Sequence, residues 1–529
     1  MFQRHRSSSE IAGFKLRNSS KSINKLPNEL LAQIFALGDE DRRSRRSKGY
    51  KYYGFQDIAV EVCSHWHAVA INSPSLWTYI FISRPPPHRS AELYLSRAGS
   101  ALLNLDLDFT TDFYRRYYEV RRDDDQGYKA AQALGTINIL EQYGATPDRW
   151  RSFILCGWVP KILYETVQYI HSVPCSSLRF LSIGWKTMMC DLPIMYEGTS
   201  PEEFSDYDNP NFNSKDLFPQ LRTVYLNMFP VRFLLKRPLP MLSGLRHLNI
   251  TPGFQQLSLA DLQAVLSANP ELNSLAIYPG YAEHESFEPS TELPVSLPLL
   301  RSLTLDSSGG NFSLIMKVMK MIVCPGLDCL ELIFPAGLEP DLVGQILDRS
   351  YSTYNIYTPD ESPPTTDDNQ QQSRDHLYPE LKRLRLSYAH QGSRPFDTSD
   401  LLSALPTITF LAVPNHVIEL LDKQPILLPL LKHIQILNEP PKNLCKILNW
   451  RAKQKVPVDI LEISEKYLDL VGSPLPRSLT VVKVPAPSST RFCRESRVRK
   501  HNSRDYDDCS DPYGNDDDDD DDPFNWSDF

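Results

Sequence analysis

A six-residue pattern, L-x-x-L-x-L, recurs nine times between residues 178 and 436 and restricts the folds open to this chain more than any other feature. The series opens with Leu178, Leu181 and Ile183, continues through copies that begin at Leu221, Leu245, Leu272, Leu300, Leu327, Leu381 and Ile408, and closes with Leu431, Ile434 and Ile436. The first residues of successive copies lie 43, 24, 27, 28, 27, 54, 27 and 23 positions apart. Six of these eight intervals fall within 23–28 and the 54 is twice 27, so the chain repeats with one period. Within a copy the apolar residues alternate with others, which predicts a short strand with one buried side. Helical spacing appears between copies, as in Leu259, Leu262, Val265 and Leu266, and again in NFSLIMKVMKMIVCP. One strand and one helix per period predict an α/β chain with a parallel sheet.

That period resembles a leucine-rich repeat. The resemblance implies an irregular solenoid over residues 93–485, with parallel strands on the concave face and helices outside. The long intervals hold two insertions, an acidic one over 191–216 and one rich in Pro, Thr, Asp and Gln over 351–375. The third and fifth positions of each motif alternate with the leucines and so face outward. Stacked units create an extended binding surface. Its candidate substrate-binding residues are Tyr225, Asn227, His247, Asn249, Tyr278, Arg383, Arg385 and His433. Thr223, Thr304, Glu331 and Gln435 occupy equivalent outward positions.

The first 82 residues have a different character. Residues 1–22 are basic and Ser-rich, the composition of a disordered segment. From Ile23 the chain reads as capped amphipathic helices. Leu30, Leu31, Ile34, Phe35 and Leu37 share one broad apolar face, with Pro27 at the start and Gly38 at the expected end. Ile58, Val62, Trp66, Val69 and Ala70 form a second apolar face before Pro74. Two short helices with faces that wide cannot bury them on each other alone, which points to a partner. Leu26-Pro27 opening a helix, then Val62-Cys63-x-x-Trp66-x-x-x-Ala70, then Pro74-x-Leu76-Trp77, resembles an F-box, in particular the F-box-like sequences of fungal families. The resemblance covers residues 23–82. It implies docking on a Skp-family adaptor and so on a cullin-based, SCF-type ubiquitin ligase, with Leu26, Pro27, Leu30 and Ile34 as adaptor contacts and Trp66, Leu76 and Trp77 as core. The stretch 39–55 is longer and more basic than the pattern expects, and 83–92 reads as a stiff linker.

Charge and cysteine use narrow the function further. The net charge is −9, yet twelve Asp and no Lys or Arg fall within 505–529, so the remainder carries about +3. Such a body does not predict nucleic-acid binding. The tail over 486–529 has the composition of a disordered segment. Nine scattered cysteines without a C-x-x-C pair predict reduced thiols, as in cytoplasm or nucleus. No apolar run is long enough to predict a membrane span. Cys63, His65 and His67 lack the second ligand pair that structural zinc requires, so no metal is expected. No G-x-S-x-G, P-loop or H-E-x-x-H motif occurs, and the sequence predicts neither a catalytic activity nor a cofactor of its own. The resemblances together imply an adaptor subunit that holds a protein substrate on its repeat face. A scaffold that assembles no ligase and a repeat protein that senses a small ligand are the alternatives. Co-purification of a cullin distinguishes the first alternative, and a deep apolar pocket the second.

Overall fold

The computed structural model describes residues 21–46, 54–84, 86–110, 126–157, 160–185, 217–229, 242–252, 259–278, 294–307, 312–334, 378–388, 398–471 and 474–484. Residues 1–20 and 485–529, both insertions and residues 47–53 of the 39–55 loop expected from sequence lie outside them.

Fourteen strands form one sheet in which every pairing is parallel and every strand lies between its neighbours in the chain. They are β1 (Tyr79–Ile82), β2 (Leu103–Asp108), β3 (Trp150–Gly157), β4 (Phe180–Trp185), β5 (Thr223–Phe229), β6 (His247–Pro252) and β7 (Ser274–Ile277). There follow β8 (Ser302–Asp306), β9 (Cys329–Phe334), β10 (Arg383–Tyr388), β11 (Phe410–Val413), β12 (His433–Ile436), β13 (Ile460–Ser464) and β14 (Thr480–Val484). Helices alternate with the strands, among them α4 (Arg89–Ala98), α5 (Gln126–Gln142), α6 (Pro160–Ser172), α7 (Leu259–Ser267), α8 (Phe312–Met321) and α9 (Leu444–Lys453). The mixed α/β class and the parallel sheet expected from the repeat are both present.

All three apolar positions of all nine motifs are buried, none more than 3% exposed. The strands stack leucine on leucine. Leu303 pairs with both Leu275 and Leu330, and Leu305 with Ile277 and Leu332. A one-residue slip would turn each of these side chains to the other face, so burial enforces the register.

The turns entering the strands follow one design. In seven motifs a Pro stands two residues before the first leucine, as in Pro219, Pro298 and Pro429. The first-leucine N–H donates to the carbonyl three residues back, for example Leu221 to Phe218, Leu300 to Leu297 and Leu431 to Leu428, at 3.1–3.2 Å. Pro is thus the second residue of a β-turn, where its fixed φ is an advantage. The second motif position then carries the chain from unit to unit. Arg179 N donates to Arg151 O, Arg222 N to Arg179 O, Arg246 N to Arg222 O and Asn273 N to Arg246 O. The relay continues through Arg301, Asp328, Lys382, Thr409 and Lys432 to Asp459 without a break.

The series extends at both ends beyond the nine copies. Val458, Leu461 and Ile463 take the three buried positions of β13, at 3%, 0% and 0% exposure. Trp150, Phe153 and Leu155 do so in β3, where Phe153 pairs with Leu181 and Leu155 with Ile183. Trp77, Ile80 and Ile82 do so at β1, in register with Leu105 and Leu107 of β2. The N-terminal helices therefore run directly into the first strand. The linker expected over 83–92 is short, because α4 begins at Arg89.

Several polar groups inside the body have specific partners. Asn269 donates through Nδ2 to Val265 O (2.6 Å) and Leu242 O, and its Oδ1 accepts from Leu245 N at 2.7 Å. Arg451 of α9, wholly buried, donates to Leu427 O (2.9 Å) and Leu428 O (2.8 Å). Burial without a carboxylate beside it lowers its pKa to about 10. Strand β2 is buried on both faces. Asn104 Oδ1 accepts from Arg151 Nε and Ser152 Oγ, both at 3.1 Å, and Asp106 accepts from the Tyr79 hydroxyl.

Leu330 stands in the middle of the leucine stack. Leu330→Ala is expected to lower stability by about 2–5 kcal/mol, since the packed neighbours cannot collapse onto the cavity. Chemical denaturation of the purified variant measures this.

Candidate functional site

Two surfaces gather the residues singled out from sequence. The first is built by α1 (Asn28–Arg46), α2 (Phe55–Val62) and α3 (Ser64–Ile71). Helix α1 has two apolar sides rather than the single face expected. Leu31 and Phe35 point inward and are 0% exposed. Phe35 meets Phe55 at 5.8 Å and Trp66 at 4.9 Å between ring centroids. Trp66 in turn donates from Nε1 to Asn24 Oδ1 at 2.6 Å. Leu30, Ile34 and Leu37, at i, i+4 and i+7, lie on the other side and are 45%, 37% and 65% exposed. Ile23 and Val62 are also exposed, Pro27 is exposed, and Leu26 is half-buried. The expected adaptor contacts Leu26, Pro27, Leu30 and Ile34 thus all reach the surface, whereas Leu76 and Trp77 are core.

Two local expectations are corrected. Gly38 does not end α1, which continues to Arg46. A Cβ at position 38 would stand 2.7 Å from the Phe55 ring, so glycine is there to admit that ring. The next residue, Asp39, is 0% exposed and anchors the extension, accepting from Arg43 Nε at 2.7 Å and Phe55 N at 3.2 Å. The second apolar face is split between two helices, because Cys63 is fully extended between α2 and α3. Cys63 and His67 therefore do not share a helical face. Among the described residues, no group of three or more His, Cys, Asp or Glu could hold a metal ion.

The helical layer is tied to the sheet through α4. The Tyr94 hydroxyl donates to both Asp57 oxygens, at 2.5 and 2.6 Å. Tyr94 also meets Trp77 edge-on at 5.2 Å, and the Arg97 guanidinium lies 4.3 Å from the Trp77 ring centroid. A cleft lined by Leu37, Glu40, Arg43, Thr78, Leu102 and Arg151 runs between α1 and the strand-entry edge of the sheet.

The second surface is the open face of the sheet, and it brings the outward residues together in two groups. Tyr225 and Asn249 are register partners on β5 and β6, as are Thr223 and His247. Asn227 follows on β5 and Tyr278 closes the group just past β7. Phe180 on β4 packs against Tyr225 at 5.4 Å. The second group is a polar network. Arg385 Nε lies 3.0 Å from Glu331 Oε1, and Thr304 Oγ1 donates to Glu331 Oε2 at 3.3 Å. His433 Nε2 lies 2.9 Å from Glu462 Oε1, Gln435 donates to Glu462 Oε2 at 2.8 Å, and Phe410 meets the His433 ring edge-on at 4.7 Å. Arg383, on the same strand as Arg385, reaches out beside Asp328 at 3.8 Å. Sequence reading missed Phe180, Phe410 and Glu462. The two phenylalanines stand at third motif positions, and Glu462 at the fifth position of the Val458 copy.

Compared with known proteins, the chain matches no family model and no curated protein. Among the described residues, no helix is long and apolar enough to cross a membrane.

Burial raises the Asp57 pKa above its ordinary value of 3.8, against the lowering effect of the Tyr94 hydrogen bond, and Asp39 and Glu61 nearby raise it further. A carboxyl shifted upward stabilises the fold below its unfolded pKa, and that contribution is lost as pH rises through the folded value. Asp57→Asn removes the buried charge and keeps an oxygen for Tyr94. Its melting temperature is expected to exceed the wild type's at pH 7, with the difference shrinking as pH falls towards 4. A variant less stable than wild type throughout that range contradicts the burial account.

Proposed function

We propose that this chain is the substrate-recognition subunit of a cullin-based ubiquitin ligase, an F-box protein with a leucine-rich-repeat solenoid as its body. The observation that carries the reading is the apolar stripe of α1. Leu30, Ile34 and Leu37 remain exposed on a helix whose opposite side is already filled by Leu31 and Phe35. Ile23 and Pro27 just before the helix are exposed as well, and Leu26 is half-buried. A monomer has no use for such a row in water, whereas a helical adaptor groove buries it.

On this reading the helical module holds a Skp-family adaptor, and the open face of the sheet holds a protein substrate. The chain contributes proximity. A tethered substrate lysine meets activated ubiquitin at high effective concentration, and no residue of this chain takes part in the chemistry. The two groups on the open face give the substrate side a mixed character. Tyr225 and its neighbours offer aromatic and amide contacts, while Arg383, Arg385, Glu331 and Glu462 offer charge of both signs.

Leu30→Asp combined with Ile34→Asp is expected to abolish capture of a purified Skp-family adaptor. Both side chains are already exposed, so the melting temperature should stay within a few degrees of wild type. Adaptor capture retained by the double variant rejects the F-box assignment. Loss of capture together with loss of folding is resolved by Leu26→Asp with Pro27→Ala, which must then fail to bind while remaining folded.

A further inference from the structure

The second motif position, which carries the backbone relay, also carries a row of side chains along the strand-entry edge. Over six neighbouring strands, β3 to β8, the residues there are Arg151, Arg179, Arg222, Arg246, Asn273 and Arg301. Five of six are arginine, and four of those five are exposed.

Their partners are mostly neutral. Arg151 Nε donates to Asn104 Oδ1 at 3.1 Å, and Arg179 Nε to Gln220 Oε1 at 3.2 Å. Arg222 Nη1 donates to Leu221 O at 2.9 Å and Gly244 O at 3.3 Å. Arg301 Nη1 donates to Gly326 O at 2.7 Å. Carboxylates reach the row at two places among the described residues. Glu380 lies 3.2 Å from Arg301, and Glu271 lies 4.0 Å from Arg246, both pairs being exposed to solvent. Neutral hydrogen bonds hold the guanidiniums of Arg151, Arg179 and Arg222 in position and leave their charge uncompensated.

The other half of the same edge is built differently. From β9 to β13 the residues are Asp328, Lys382, Thr409, Lys432 and Asp459, two acids and two bases about a threonine. Lys432 pairs with Asp459 at 3.5 Å, and Asp328 with the adjoining Arg383 at 3.8 Å. That half neutralises itself, so the position does not require basic residues as such.

We propose that the arginine row of β3–β8 is a docking surface for an extended acidic peptide segment of a partner protein. The inference does not depend on the adaptor reading. Neighbouring strands are about 4.8 Å apart, so the row runs for about 24 Å, the reach of about seven extended residues. Planar guanidiniums held at fixed spacing match carboxylates in two-toothed contacts. A long nucleic acid draws on a broad basic field, and the chain outside 505–529 carries only about +3. A short peptide lying on the row experiences little beyond the arginines, because salt screens charges more than about 10 Å away.

The test is fluorescence anisotropy of the full chain with a labelled peptide of about eight alternating Asp and Glu residues, beside its Asn/Gln counterpart and an oligodeoxynucleotide of similar length. The acidic peptide is expected to bind, more weakly as salt is raised, and the neutral peptide not to. Arg179→Glu with Arg246→Glu should weaken binding by about tenfold or more. Lys382→Glu with Lys432→Glu, on the self-neutralised half, should leave it within about twofold at unchanged melting temperature. The proposal is overturned if the acidic peptide fails to bind, if the arginine reversals have no more effect than the lysine reversals, or if the oligonucleotide binds more tightly than the peptide.

Discussion

Each unit of the sheet is held to the next by a backbone hydrogen bond at the same motif position, from Arg151 to Asp459 without interruption. The relay fixes the height of every strand relative to its neighbour. With the height fixed, Leu181 meets Val224, Leu248 meets Leu275, and Leu384 meets Leu411. A single strand of this kind has one apolar side and two open edges, and is worth little in water. Stacking removes both problems together, since each neighbour covers an edge and extends the buried surface. The proline turns deliver seven of the nine motif strands to the relay through the same kind of turn.

The helical layer at the N-terminus belongs to this construction. Trp77 occupies the place of a first leucine and its indole donates to Ala70 O at 2.8 Å, so one side chain is both the end of the helical module and the start of the sheet. Tyr94, Asp57 and Arg97 gather around the same residue. The apolar stripe of α1 is thereby presented from a support that also carries the open face. On the proposed function this matters, because a bridge between adaptor and substrate is useful only if the two ends keep a defined relation. At the far end, β14 has no comparable cover among the described residues. Thr480, Val482 and Lys483 there are exposed, and the lysine is a residue that discourages further pairing.

Nine units were legible because leucine at fixed spacing is a strong signal and because most of the outward positions between the leucines are polar. The units at the ends were harder to read for chemical reasons. Trp77 and Trp150 fill the first position with an indole, and Val458 with a smaller side chain, so a leucine pattern passes over them. Gly38 reads as a helix stop, since glycine terminates helices when nothing else requires it. The ring of Phe55, seventeen residues away, is what requires it, and no local pattern reveals that contact. The break at Cys63 is hidden for the converse reason, because the apolar spacing runs across it unchanged. The candidate contacts on α1 were recognisable as apolar, but which of them face water depends on Phe35 and Trp66 filling the other side. Arg222 and Arg301 read as ordinary surface residues until the carbonyls of Gly244 and Gly326 are placed beside them.

No strand of the main sheet skips a neighbour, and this order has a consequence for how the protein is made. During translation each new strand emerges beside the edge of the one just completed, so the sheet can lengthen in step with the ribosome and never waits for a distant segment. Long-range parallel pairing is ordinarily slow because a large loop must close first; here that delay is replaced by a series of short closures. The end synthesised first is the one bearing α1. Its apolar stripe is therefore already displayed on a nascent chain whose last strands do not yet exist.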